Sequence, residues 1–249
     1  MMRVQVLCFG VLKDWFGAES TPVELPASAT VAALIEQMSA LAPHAVRWEQ
    51  GIAVSVNAAY VNRSHELCDG DEVALLPPVS GGSASEESAG DAAEDDSKAV
   101  SLTHLPIDVQ GITETARNDE DGAVVVFDGI VRNNTRGRKT LYLDYEAYDS
   151  LALKQMRALV DEATHRFAVR HASIVHRLGR LQVGETSVLI VVAAAHRGPA
   201  FEACRWLIDT LKKTVPIWKK ETFTDGAVWA DGEAFPAEIL TGTEARDEK

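Results

Sequence analysis

Val4 and Val6, with Cys8 beyond them, alternate with Arg3, Gln5 and Leu7, a period of two that predicts a strand with one buried face. Thr21–Leu25 predicts a second strand after a loop around Phe16-Gly17. Thr30 offers an N-cap to a helix in which Val31, Leu34, Ile35, Met38 and Leu41 recur at helical spacing, with Pro43 as its stop. Ile52, Val54 and Val56 alternate again, Asp69-Gly70 marks a turn, and Glu72–Leu76 makes a last strand that runs into Pro77-Pro78-Val79-Ser80-Gly81-Gly82. The order β-β-α-β-β within residues 1–82 predicts a β-grasp, ubiquitin-like domain, with another small α+β arrangement as the alternative.

The pattern then stops. Ser83–Lys98 (SASEESAGDAAEDDSK) has no aromatic or branched aliphatic residue and a charge of −5 (one Lys against six acids), so it cannot bury enough apolar surface to offset chain entropy. Residues 83–100 are expected to form a flexible acidic linker. Patterning resumes with strand-like Ala123–Phe127, Ile130-Val131 and Leu141–Ala147. Leu153, Met156, Leu159, Val160, Ala163 and Phe167 mark one face of a long helix. Ser173–His176 and Thr186–Ala195 are further strands, and a helix with Phe201, Cys204, Leu207, Ile208 and Leu211 inward ends before Pro216. The expected class is α+β: a β-grasp domain over 1–82, the linker 83–100, and an α/β domain over 101–249.

Across 249 residues the formal net charge is −13, which argues against a nucleic-acid binder. The charge is uneven: residues 1–82 carry 4 basic and 9 acidic side chains, 83–100 carry 1 and 6, and 101–249 carry 19 and 22. Most of the cations therefore sit in the second half. Cys8, Cys68 and Cys204 fall in no disulfide or zinc-ligand spacing, which points to a reducing, cytoplasmic compartment. Val4–Leu12 is too short and too polar at its start for a signal peptide, and no run approaches the length of a membrane span.

The candidate cations of the second half fall into four groups. His196-Arg197 stands where a strand ends and a helix begins, beside amides of positive polarity, which suits an anion. Lys212 and Lys213 close that helix, where they also complement its dipole. If Ile217–Thr222 is extended, Lys219 and Glu221 share one face and Trp218 and Lys220 the other. Near other cations, Lys219 would serve as a proton donor or nucleophile. Asp128-Gly129-Ile130-Val131-Arg132-Asn133 ends a strand in an arginine-bearing loop. Gathered together, Arg132, His196, Arg197, Lys212 and Lys219 would hold an anionic small molecule, a phosphate ester rather than a nucleic acid. Cys204 lies on an apolar helix face and reads as core.

Gly81-Gly82 is the mark of a carrier tail, since a strand without side chains can enter a narrow active site and present its terminal carbonyl. Residues 1–82 resemble the small, sulfur-carrier subunit of molybdopterin synthase. Residues from about 103 to 235 resemble its large catalytic subunit, with a hammerhead-type α/β fold. The second resemblance rests on Asp119-Glu120-Asp121-Gly122-Ala123, Gly129-Ile130-Val131-Arg132-Asn133, Ala195-His196-Arg197 with Ala200-Phe201-Glu202-Ala203, and Pro216-Ile217-Trp218-Lys219-Lys220-Glu221. The resemblance implies that a cyclic pyranopterin monophosphate receives two sulfur atoms from C-terminal thiocarboxylates, giving the dithiolene of molybdopterin. It implies Lys212 and Lys219 as catalytic residues, and Ile130, Val131, Arg132, His196, Arg197, Lys220 and Glu221 as substrate-pocket positions. It further implies no metal or redox cofactor for that step, a sulfur-loading adenylyltransferase and sulfurtransferase as partners, and a homodimer of catalytic domains with active sites near the interface.

One departure matters. In that family the second glycine is the chain end, whereas here Gly82 is joined to Ser83, so an amide nitrogen occupies the place of the sulfur. A precursor cut after Gly82 by a processing protease resolves the conflict, with the exposed linker as substrate. The diglycine also allows two other readings: a ubiquitin-like protein-modifier precursor, or an N-terminal domain acting only as a docking or regulatory module.

Overall fold

The computed structural model describes residues 1–41, 48–49, 51–79, 99–230, 232 and 234–241. Pro43, Gly81, Gly82 and the stretch 83–98 lie outside the described residues. The chain forms two compact units, Met1–Gly81 with Asp231–Lys249, and Gly82–Ala230. Residues 231–249, which the sequence reading leaves in the second domain, thus group with the first.

In the first unit, β1 (Met2–Cys8), α1 (Val11–Phe16), β2 (Ser20–Leu25), α2 (Val31–Leu41), β3 (Ala53–Val56), β4 (Ala59–Val61) and β5 (Glu72–Leu76) follow in order. The sheet runs β2-β1-β5-β3-β4, with β1 parallel to β5 and all other pairs antiparallel. This is the expected β-grasp arrangement. Met2, Val4, Val6 and Cys8 point inward from β1, and α2 lays Val31, Leu34, Ile35 and Met38 on them. Leu41, expected on that face, is 64% exposed, at the last residue of α2 and beyond its buried stripe Val31, Leu34, Ile35 and Met38. The loop expected around Phe16-Gly17 contains the short α1, stopped by Gly17 at φ 70°, a left-handed cap that favours glycine.

The second unit contains β6 (Val100–Thr103), α3 (Val109–Thr115), β7 (Ala123–Ile130), β8 (Asn134–Thr135), β9 (Arg138–Ala147) and α4 (Asp149–Arg166), then β10 (His171–Arg177), β11 (Gly179–Gln182), β12 (Thr186–Ala194), α5 (Arg197–Thr214), β13 (Ile217–Phe223) and β14 (Gly226–Trp229). Ala99 and Val100 close the stretch assigned to the linker, yet they are buried and Val100 opens β6; unlike 83–98 they carry apolar surface to bury. One sheet runs β6-β10-β12-β7, the other β11-β9-β13-β14, with β8 paired to β9. β12 is buried from Ser187 to Ala194 because both of its faces are covered. Val188, Ile190, Val192 and Ala194 meet α4 and α5, while Leu189 and Val191 meet Ala116 and Ile112 at α3. On α5 the inward stripe is Ala200, Ala203, Cys204, Leu207, Ile208 and Leu211. Phe201, expected inward, is 62% exposed, since it stands one position off that stripe. Cys204 is core as expected, and burial pushes its thiol up to about 11.

The last element, α6 (Ala237–Thr241), belongs to the first unit and lies against β3 and β4, with Phe235 just before it buried edge-on to Tyr60.

In the second unit a buried polar contact joins the two sheets. The His176 ring on β10 meets the Tyr145 ring on β9 in an edge contact, centroids 5.2 Å apart, and its Nδ1 lies 3.0 Å from the Arg177 carbonyl. Burial holds His176 neutral, lowering its pKa from the ordinary 6.5 to about 4 against a smaller opposing effect of that hydrogen bond. Between these values the unfolded chain binds a proton that the folded chain refuses. The stabilising contribution is therefore complete above pH 6.5 and falls away as pH drops towards 4. We expect His176 to cost the native chain about 2 kcal/mol between pH 7 and pH 5. His176→Phe, which keeps a ring against Tyr145, should flatten that decline in urea unfolding curves; an equally steep decline in the variant would show that His176 titrates normally.

Candidate active site

Lys219 and Tyr145 are cross-strand partners on β13 and β9, as are Glu221 and Leu143, so all four side chains stand on one face of the second sheet. There Lys219 Nζ lies 3.4 Å from Glu221 Oε1, and the Glu221 side chain is only 6% exposed. The expected sharing of a face is therefore found. The charged neighbour is a carboxylate rather than the cation expected, and it holds the ammonium in position. Lys220 takes the opposite face with its ammonium 5.2 Å from the centre of the Trp229 ring, away from Lys219.

Tyr145 carries the site down into the protein. Burial raises the pKa of its hydroxyl, a hydrogen bond with Ser187 opposes that effect, and the negative charge of Glu221 adds to it. The hydroxyl thus stays protonated. Ser187 stands at an irregularity between β12 and β7, where the register slips between Thr186 and Val188. The slip turns the Ser187 hydroxyl onto the Gly129 carbonyl at 2.8 Å. A side chain at Gly129 would stand 2.6 Å from Val188 Cγ1, so only glycine lets the two strands close here.

Immediately beyond Gly129, Ile130 is 54% exposed and Val131 is buried with Leu143, Leu181 and Tyr145. Val131 donates to the Glu185 carbonyl at 3.0 Å and accepts from Gly184 at 2.8 Å, which fixes the backbone from which Arg132 projects into solvent. Glu185 is itself fixed by the Gln182 amide at 2.6 Å and by the Arg177 guanidinium at 3.1 Å, and these bonds, the first above all, hold its carboxyl below the usual range. Lys212 lies in the last turn of α5, half-buried, and α5 packs back along β12 and β7. That antiparallel course carries Lys212 to the end of the sheet where β7 finishes. Lys212, Lys219, Glu221, Val131 and Arg132 therefore belong to one end of the second unit.

His196 and Arg197 belong to the other end. His196 is the N-cap of α5 and Arg197 its first residue, both exposed, with no side chain capping the helix amides. Ala194 pairs with Ala123 at the start of β7, while Ile130 pairs with Thr186 at its end. Eight strand steps separate the two, roughly 26 Å, and fifteen helical steps separate Arg197 from Lys212, roughly 22 Å. A single chain does not gather the five cations into one pocket. The Asp119–Ala123 motif has a structural part at this second end. Asp121 takes a two-pronged hydrogen bond from Arg170, at 2.8 Å and 2.5 Å, which holds its carboxyl below the usual range. A side chain on Gly122 would overlap the Ala195 carbonyl, so glycine seats that turn against the strand end leading to His196.

The residues that sequence reasoning missed are Tyr145, His176 and Ser187. None belongs to a charged motif, and only Gly129 inside an apolar strand pattern signals the close approach beneath them.

A family model for the MoaE protein matches residues 102–214, and a model for the ThiS family matches residues 6–82. The molybdopterin synthase catalytic subunit of Pyrococcus abyssi is 43% identical over 136 residues, covering 54% of this chain and 92% of that protein. The one from Halalkalibacterium halodurans is 35% identical over 153 residues, covering 61% and 98%. Among solved structures, molybdopterin synthase from Staphylococcus aureus matches with a TM-score of 0.50 at 42% identity, over 52% of this chain and 95% of that one. Nearly the whole of each relative is thus covered, the MoaE match falls within the second unit and the ThiS match on the β-grasp domain, and the chain belongs to the family of molybdopterin synthase catalytic subunits, fused behind a ThiS-family carrier domain.

Proposed function

We propose that this member of the molybdenum-cofactor pathway transfers sulfur from a thiocarboxylate on Gly82 to cyclic pyranopterin monophosphate, giving molybdopterin, after the chain has been cut behind Gly82. The observation that carries the reading is the Lys219–Glu221 pair on the inner face of β13, at the end of the unit where Arg132 and Lys212 also belong. A fixed ammonium in such a place stabilises the negative charge that develops as sulfur adds to the pterin, and Lys212 can do the same or move a proton. Arg132 suits the phosphate, as a fork of donors on a strand end. Tyr145, anchored by Ser187, stands directly across from Lys219 on the neighbouring strand and helps shape the face on which it lies.

His196 and Arg197 complete the pocket only if they come from a second copy. Their distance along β12 and α5 from Lys219 favours a homodimer in which one protomer supplies the lysines and Arg132, and its partner supplies the cationic helix start. A processing protease and sulfur-loading enzymes are the remaining partners, in the cytoplasm. Among the described residues no helix is long and apolar enough to cross a membrane.

Reconstitution with the pterin substrate, the sulfur-loading enzymes and ATP tests the cut. Chain cleaved after Gly82 should form product, and intact chain should stay at least about a hundredfold lower. Product from chain that mass spectrometry finds uncut would refute the processing step, and Gly82 carbonyl found on protein lysines would favour a modifier. In cleaved protein, Lys219→Ala should lower kcat by about 10²–10³-fold while thiocarboxylate loading on Gly82 stays unchanged.

Mixing tests the shared site. Arg132→Ala and His196→Ala chains, each inactive alone, should after subunit exchange recover about a quarter of native activity, because half the dimers are mixed and each of those keeps one intact site. No recovery from demonstrably mixed dimers would mean that both groups act within one chain.

A further inference from the structure

The chain leaves the second unit at Ala230 and enters the first at Asp231. Three features tie this last segment to the carrier domain. Phe235 is only 3% exposed and meets Tyr60 edge-on, ring centroids 5.9 Å apart. α6 lies along β4, the edge strand of the carrier sheet, and along β3 beside it. Gly232 has no room for a side chain: an added Cβ would overlap the Pro78 carbonyl and lie 2.7 Å from Pro78 Cβ. Pro78 stands three residues before Gly81, and its neighbours Pro77 and Val79 are buried. The segment therefore packs against the edge strand of the sheet and against Pro78, shortly before the diglycine in sequence.

We propose that residues 232–241 are a retention strap: a peptide of the catalytic half, docked on the carrier domain, that keeps the two halves associated once the chain between them is cut. Its use after processing rests on the function proposed above; its docking does not. An aromatic anchor in a buried pocket and a glycine at closest approach are the features on which peptide docking depends most. A short edge strand such as β4, left bare, is also a surface that other chains could pair with, and the strap blocks it.

The test uses the full chain with a recognition sequence for a site-specific protease placed within Ser83–Lys98, cut to completion. Cys68 is exposed while Cys8 and Cys204 are buried, so a fluorophore on Cys68 reports the carrier half by anisotropy. The nicked halves should stay associated. Phe235→Ala and Gly232→Ala should each weaken their association at least about tenfold, and a chain stopped after Ala230 should weaken it further. Gly232→Ala adds one methyl and removes no buried group, and hydrogen exchange at Val4, Val6, Val73 and Leu75 checks that the carrier itself stays folded. The same series in chains lacking Gly81-Gly82 removes any grip of the tail in the catalytic pocket. Dissociation constants within about twofold of the native chain for all three strap changes would overturn the strap, whatever the synthase activity. Lost activity with the strap effect intact would instead count against the proposed reaction.

Discussion

The second unit is organised by one constraint: β12 must be covered on both faces. Every residue from Ser187 to Ala194 is buried, and each Val, Leu or Ile so placed contributes about 1.5–3 kcal/mol. Covering one face requires α5 to fold straight back along the strand that precedes it. That return separates His196-Arg197 from Lys212 by the full length of a helix. The same strand, slipping register at Ser187, brings a hydroxyl to Gly129 and to Tyr145, the cross-strand partner of Lys219. The cations at the two ends of the unit are thus consequences of a single packing requirement, and so is the dependence of the proposed pocket on a second copy.

The sequence makes most of this legible where period and charge agree. Alternation in Val4, Val6 and Cys8, the helical stripe of α2 and the continuous apolar run of β12 are strong signals, because burial on one face or two leaves a direct trace in residue order. Lys219 and Glu221 sharing a face follows from strand geometry alone. Short elements escape: α1, β4, β11 and α6 have too few residues for a period to emerge, and their form is decided by what they pack against. Leu41 and Phe201 stand outside the buried stripes of their helices for a related reason, since apolar spacing does not reveal how far a helix face is covered. Tyr145, His176 and Ser187 are hidden because their chemistry lies in burial and contact between two sheets. The separation of Arg132 from His196 is likewise a matter of topology: motif residues that a family uses together need not lie together in one chain.

The fusion places a further demand on the proposed chemistry. The proposed reaction delivers two sulfur atoms to one dithiolene, and each Gly82 end would carry one. A carrier fixed to its catalytic domain by a peptide bond presents an amide at the place of the sulfur and cannot be exchanged for a loaded copy. A carrier freed by cleavage has the opposite difficulty, because at low concentration it diffuses away from its site. Docking through Phe235 and Gly232 sits between these limits. It raises the effective concentration of the carrier near the catalytic half without making the attachment permanent.

That intermediate position limits how tight the strap can be. Two deliveries per product require the spent carrier to leave or to be recharged in place, and departure slows in proportion as the strap tightens. A strap held by one aromatic ring, one glycine contact and a five-residue helix is small beside a permanent interface, which suits exchange better than storage. Clasping Pro78 adds direction to this weak hold, because Pro78 and the buried Val79 are packed while the diglycine further along the sequence carries no side chains. The strap therefore orders the root of the tail and leaves to the catalytic pocket the task of holding its end.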